Sequence, residues 1–301
     1  MNFYNVHIPF NGGEIYCEVT DYNAINDGRE IIFVLPGGPG LSMESYKVPP
    51  ILMLTSKKHL VFLDPPGTGG SRNFKNSDCD INLYIESIEA IRRFFNFNKI
   101  SLLGVSYGTM VSIGYGVKYS ENLDSLILVA GAPSYHFIEK AKQNLLEKGS
   151  KAQNDICEKF LWNGTFSSSD DVDNFFNIMA PLYSKSVRDG LRSSLFSNNV
   201  KKYDYPFSLL NIAFSSNFWF FDYTRDLKNI LCPVLLCNGK EDWINDPCFA
   251  RIINHEIINS KLYLLDSGHS ILYDQPEMFY KITIDFFDSM QSKYSLEYNK
   301  F

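Results

Sequence analysis

The chain has 301 residues, 45% of them apolar, which is enough to bury a sizeable core as one large domain or as a domain carrying an insertion. A formal net charge of −6, with no Lys/Arg-rich block, excludes a general attraction to nucleic acid or to an anionic membrane surface. No apolar run approaches the roughly 18–20 residues needed to cross a bilayer, so no membrane partner is expected.

In chain order, the opening "MNFYNVHIPFNGGEIYCEV" lacks a basic leader followed by an apolar signal core. Cys17, Cys79, Cys157, Cys232, Cys237 and Cys248 are scattered, and none forms a CxxC pair. We therefore expect a cytoplasmic protein with reduced thiols and no metal site. Alternation around Asn11-Gly12-Gly13 predicts a β-hairpin. Short, nearly continuous apolar runs follow at 30–35, 60–64, 100–105, 123–130, 232–239 and 261–266. Runs of this kind suit interior strands of a parallel sheet, which are covered on both faces. A helix is expected over 84–97, where Ile88, Ile91, Phe94 and Phe95 share a side. A second is expected over 276–290, which opens on a proline and an acidic residue. The alternation of strand and helix predicts an α/β fold, a mostly parallel central sheet with helices on both faces.

That alternation lapses between about 133 and 222, and strand signals resume only near Leu231. The interval reads as a mostly helical cap over the C-terminal edge of the sheet, dividing the core into 1–132 and 223–301. Within it, Phe214, Phe218, Trp219, Phe220, Phe221 and Tyr223 are candidates to line a pocket. Clustered aromatics also serve simply to dock one layer on another.

Gly104-Val105-Ser106-Tyr107-Gly108 matches G-x-S-x-G between the strand at 100–105 and a following helix. Glycines on either side of Ser106 permit a sharp turn that lifts Oγ above the sheet. A serine hydroxyl needs a base to become a nucleophile. Of the five histidines, His7 falls in the hairpin, His59 at a strand start and His255 in a helix. His269 follows the last strand, where a base reaches the serine from above, and His136 at the start of the cap is second choice. The orienting carboxylate is expected in "LLCNGKEDWINDP", which offers Glu241, Asp242 and Asp246. Asp242 is best placed, and Asp246 before Pro247 suits a helix cap. The order Ser106, Asp242, His269 is that of an α/β-hydrolase. An oxyanion then needs two N–H donors. Tyr107 supplies one, and the loop "PGGPG" (36–40) supplies the other through Gly38, since Pro36 and Pro39 have no N–H.

On these residues the chain resembles the proline iminopeptidase (prolyl aminopeptidase) family of α/β-hydrolases over nearly its whole length. "PGGPG" stands where that family has HGGPG, and "DPPGTGGS" (64–71) matches its DQxGxGxS loop at Asp64, Gly67, Gly69 and Ser71. "GVSYGT" (104–109), "GKEDWINDP" (239–247) and "SGHSILYDQPEMF" (267–279) match its nucleophile, acid and base segments. The resemblance implies a helical cap, hydrolysis without a cofactor, and release of an N-terminal proline or other small neutral residue from short peptides. Two positions depart from the pattern. Pro36 replaces the histidine of HGGPG, and Trp243 stands where the family carries an acid for the substrate amine, which also makes Trp243 a pocket candidate. The cap glutamate is absent as well, leaving Glu241, Asp222 or Glu139 as substitutes. The alternative is a carboxylesterase, lactonase or amidase with the same three residues, acting on small apolar acyl groups without a free amine.

Overall fold

The structure is a computed structural model and describes residues 2–22, 25, 27–195 and 205–298. Among them, eight strands form one sheet: β1 (Phe3–Phe10), β2 (Gly13–Thr20), β3 (Ile31–Leu35), β4 (His59–Leu63), β5 (Ile100–Val105), β6 (Leu123–Val129), β7 (Val234–Gly239) and β8 (Ser260–Leu265). Their spatial order is β1-β2-β4-β3-β5-β6-β7-β8. β1 and β2 form the hairpin, turned by Asn11 at φ 50° and Gly12 at φ 80°. Asparagine and glycine are the residues that accept two successive positive φ angles most readily. β2 meets β4 antiparallel, and the remaining pairings are parallel.

The helices are α1 (Pro49–Leu52), α2 (Ile81–Phe94), α3 (Tyr107–Lys118), α4 (Phe137–Lys148), α5 (Lys151–Ile156), α6 (Ser169–Tyr183), α7 (Lys185–Arg188), α8 (Phe207–Ser215), α9 (Pro247–Glu256), α10 (Ile271–Asp274) and α11 (Pro276–Tyr298). Along β3, Ile31, Phe33 and Leu35 join one apolar cluster, and Ile32 and Val34 join the other. Successive side chains on a strand point to opposite faces, so each continuous apolar run feeds two layers of core. Ile88 and Ile91 of α2 and Val111 of α3 cover the first face. Phe279, Ile282 and Phe287 of α11 cover the second. α2 starts three residues before the predicted boundary because Asp80 caps it, accepting from the Leu83 N–H at 2.8 Å.

The run at 261–266 does not behave as an interior strand. β8 is the edge of the sheet, paired only with β7, and Leu265 alone of its six residues is buried. Lys261 is exposed, and Ser260, Leu262, Tyr263 and Leu264 are only partly buried, as suits a strand with a single neighbour.

Between β6 and β7 the chain passes through α4 to α8, a helical insertion with no strand among its described residues. Its ends are pinned together. Ser134 and Asp222 form an antiparallel bridge, the Tyr135 N–H donates to Phe221 at 3.0 Å, and the Tyr223 N–H donates to Pro133 at 2.9 Å. β6 therefore pairs directly with β7, and the sheet continues as though the insertion were absent.

Candidate active site

Ser106 sits between β5 and α3 with φ 55° and ψ −114°. A residue with a Cβ held at positive φ stores strain, on the order of 1–3 kcal/mol. Neighbouring bonds hold it there. The Ser106 N–H donates to Val129 at 2.8 Å, and Thr109 Oγ1 lies 2.7 Å from the Gly104 carbonyl and 2.8 Å from that of Val129. The flanking glycines are required for space. A Cβ on Gly104 would stand 2.3 Å from the Gly108 carbonyl oxygen, and one on Gly108 would stand 2.2 Å from that of Leu35. α3 begins at Tyr107, so the Tyr107 and Gly108 N–H groups have no carbonyl partner within the helix, while those of Thr109 and Met110 donate to the Ser106 carbonyl at 2.9 and 3.3 Å.

Asp242 follows β7 and His269 follows β8, so parallel neighbours deliver both to the same edge of the sheet. Asp242 is fully buried. Its Oδ1 accepts the N–H groups of Ile244 and Asn245, each at 3.0 Å, and its Oδ2 lies 2.8 Å from His269 Nδ1. A carboxylate only accepts, so the proton of this bond belongs to Nδ1, and in the neutral imidazole Nε2 is then the acceptor. The other histidines lie elsewhere. His7 and His136 are about half exposed beside Glu14 and Glu139, His255 is on the surface beside Glu256, and His59 is buried on Asp27. Glu241 pairs with Arg188 at 2.7 Å. Asp246 caps α9, accepting from Cys248 at 2.9 Å.

Ser106 and His269 face one cavity of about 110 Å³. Gly38, at φ 115°, lies on its wall, and a Cβ on Gly37 would stand 3.1 Å from Ser106 Cβ, so the glycine loop runs against the elbow. Asp64 holds the far end of that loop through Ser42 Oγ at 2.8 Å and the Met43 N–H at 2.9 Å, and grips Gly70 at 2.7 Å. A Cβ on Gly69 would stand 2.1 Å from Asp64 Oδ2, which accounts for a glycine at that position of "DPPGTGGS". The Tyr205 hydroxyl donates to the Pro39 carbonyl and so joins the insertion to the same loop.

The aromatic candidates divide. Phe214 lines the cavity; Phe218, Trp219 and Trp243 do not. Phe218 is buried edge-on against Tyr107 and Phe137, with ring centroids 5.6 and 5.3 Å apart. Trp219 is 39% exposed, and its indole N–H donates to the Phe214 carbonyl at 3.1 Å. Trp243 is fully buried edge-on to Tyr183 at 5.4 Å and near Trp162 at 6.3 Å. Phe218 and Trp243 pack layers together, as large buried rings commonly do, while Trp219 stays partly at the surface. The cavity takes its other insertion aromatics from Phe175, Phe176 and Tyr183 of α6 and from Tyr205. The sequence signal for them was the aromatic content of "NFFNIMAPLY", but helical spacing does not say which side of α6 faces the sheet.

A family model described as the alpha/beta hydrolase fold matches residues 30–276. The chain belongs to the α/β-hydrolase fold family. Within this family it is similar to a proline iminopeptidase of Pestalotiopsis fici, 28% identical over 83% of this chain and 89% of that one. A proline iminopeptidase of Saccharolobus solfataricus is 26% identical over 93% of this chain and 91% of its own. Among solved structures, an α/β-fold hydrolase from Bacillus anthracis superposes with a TM-score of 0.74 at 17% identity, covering 94% of this chain and 99% of that one. The protein is an α/β-hydrolase enzyme, and no described helix is long and apolar enough to cross a membrane.

Proposed function

We propose that the chain is a serine hydrolase that transfers a small apolar acyl group to water through a covalent seryl intermediate. Residues 133–222 act as the cap, on a core made of 1–132 and 223–301. Ser106 Oγ attacks the carbonyl, His269 Nε2 takes its proton and later returns it to the leaving group, and Asp242 holds the imidazole tautomer that makes this possible. The N–H groups of Gly38 and Tyr107 receive the oxyanion. The observation that carries this reading is the 2.8 Å bond between buried Asp242 and His269, on a histidine that shares its cavity with Ser106 at the strained turn.

The cavity wall bears on substrate class. Among its described residues, none is Asp, Glu, Lys or Arg. The acids that were candidates to hold an ammonium are paired or exposed, and none is on the cavity wall. Glu241 is paired with Arg188, Asp222 accepts from the Thr224 N–H at 2.9 Å on the surface, and Glu139 is exposed. An ammonium buried here without a carboxylate would be poorly solvated. This favours esters, lactones or amides whose acyl group carries no free amine. A second reading, release of an N-terminal proline, is supported by the names of the similar proteins.

Kinetics on proline and alanine arylamides, their N-acetylated forms and short acyl esters separate the two. We expect turnover of blocked amides and neutral esters. Activity confined to free-amine substrates would overturn this preference in favour of aminopeptidase action. In the same assays a fluorophosphonate should label the wild type and leave Ser106→Ala unlabelled.

A further inference from the structure

The loop that carries His269 is bound to the insertion through one carboxylate. Asp274 closes α10, five residues after His269. Its Oδ1 lies 2.6 Å from Ser184 Oγ and 2.7 Å from Ser186 Oγ, and it accepts the Ser186 N–H at 3.1 Å. Its Oδ2 accepts the Lys185 N–H at 2.9 Å and the Gly268 N–H at 3.2 Å, and lies 3.0 Å from Ser267 Oγ. Four of these six donors belong to the insertion, and the other two to the residues immediately before His269. Burial opposes the charged form of Asp274, yet the bonds from Ser184, Ser186 and Lys185 hold its carboxyl below the usual carboxylate range.

Other contacts fall on the same seam. The Ser270 N–H donates to the Tyr183 carbonyl at 2.9 Å, and a Cβ on Gly268 would stand 2.7 Å from that oxygen. The Tyr183 ring meets His269 edge to face, with centroids 5.4 Å apart. Outside this seam, Lys185 pairs with Asp266 at 2.6 Å and Arg188 pairs with Glu241 at 2.7 Å, so residues 183–188 touch both the base loop and the acid loop. Exposed ion pairs such as these add little. A half-buried carboxylate with three N–H donors is a much stiffer joint.

We propose that Asp274 is a positioning residue that fastens the 184–186 segment of the insertion to the 267–269 loop, so that the imidazole of His269 is held in register with Ser106 only while the insertion is seated. The inference rests on the reading of Ser106, Asp242 and His269 given above. It makes the cap part of the base's support as well as the roof of the cavity. Displacing the cap releases the imidazole from one side.

The test compares the wild type, Asp274→Ala, and the double variant Ser184→Ala, Ser186→Ala, which keeps the carboxylate and removes two hydroxyl donors. Three readouts are taken well below each melting temperature: kcat and KM, the rate of fluorophosphonate labelling, and the low-field NMR signal of the His269 Nδ1–H. For Asp274→Ala we expect kcat and labelling rate to fall roughly 10- to 100-fold, the scale of an ångström-sized misplacement. KM should change much less, and the low-field signal should broaden or shift. The double variant should move the same way by a smaller factor, and it carries the test if Asp274→Ala does not fold. A role confined to stability would lower the melting temperature and leave all three readouts at wild-type values, and that outcome overturns the inference. Labelling of Ser106→Ala at the wild-type rate would instead overturn the nucleophile assignment, and the inference resting on it. Labelling lost in Ser106→Ala but unchanged in a folded Asp274→Ala would defeat the positioning role alone.

Discussion

Asp242 meets its neighbours with both carboxylate oxygens, and the division between them explains what each does. Oδ1 accepts two backbone N–H groups and fixes the side chain in its loop, which frees Oδ2 to face His269. In Asp242→Asn the amide keeps nearly the same shape and can still accept through one oxygen. It then presents an NH2 donor to Nδ1 and favours the wrong imidazole tautomer. We expect kcat to fall by roughly 10³–10⁴ with little change in the far-UV spectrum. A loss under tenfold in steady-state assays would remove Asp242 from the orienting role. Trp243, next along the chain, shows the opposite relation between letter and use. A tryptophan in an acid's position reads as a pocket residue, but full burial against Tyr183 makes it a wedge under the acid loop.

At the scale of elements, α2 carries a buried carboxylate that ties its own last turn together and joins it to α3, beside the burial of its apolar face. Glu89 is 3% exposed and accepts from Arg92, Arg93 and the Tyr115 hydroxyl of α3 at 2.7–2.9 Å. Burial disfavours the ionised form, but these bonds outweigh it and bring the Glu89 carboxyl from 4.5 down to about 2. A carboxyl lowered in the folded state contributes stability that is complete above its unfolded value. That contribution is lost as pH falls from about 4.5 through about 2. Glu89→Gln should therefore cost roughly 2–3 kcal/mol in denaturant unfolding at pH 7. The difference from wild type should shrink toward pH 2. A gap that stays constant with pH would show that the carboxylate's charge is not what matters.

For the whole molecule, the cavity exists only where the insertion lies over the sheet edge. Phe214 of α8 is the one aromatic of the 214–223 cluster on the cavity wall, and it is 4% exposed. Phe214→Ala should enlarge the cavity and shift preference toward longer or bulkier acyl chains, measured as kcat/KM across an acyl ester series. It should also destabilise the fold by about 3 kcal/mol, as large-to-small changes at buried sites do. An unchanged chain-length profile would mean that Phe214 bounds the cavity without limiting the acyl group.

The chain's letters carried the fold class because its signals are local. A continuous apolar run, a glycine that must accept φ near 80°, and a serine between two glycines at a strand end each act within a few residues. Those constraints also narrowed the candidate site, since parallel strands in a known order bring their C-terminal loops to one edge whatever lies between. Two kinds of fact were not local. The edge position of β8 depends on having only one neighbour, which nothing in "KLYLLD" encodes. The direction in which each aromatic faces depends on how the helices of the insertion settle against the sheet, and periodicity is blind to rotation about a helix axis. Phe218, Trp219 and Trp243 therefore read as pocket candidates and lie off the cavity wall, while Phe175, Phe176 and Tyr183 are on it. Asp274 is the clearest case. In the sequence it is an ordinary aspartate before a glutamine and a proline. Only the fold brings Ser184 and Ser186, about 90 residues earlier, within reach of its carboxylate, because contacts between distant segments are decided by the packing of whole layers.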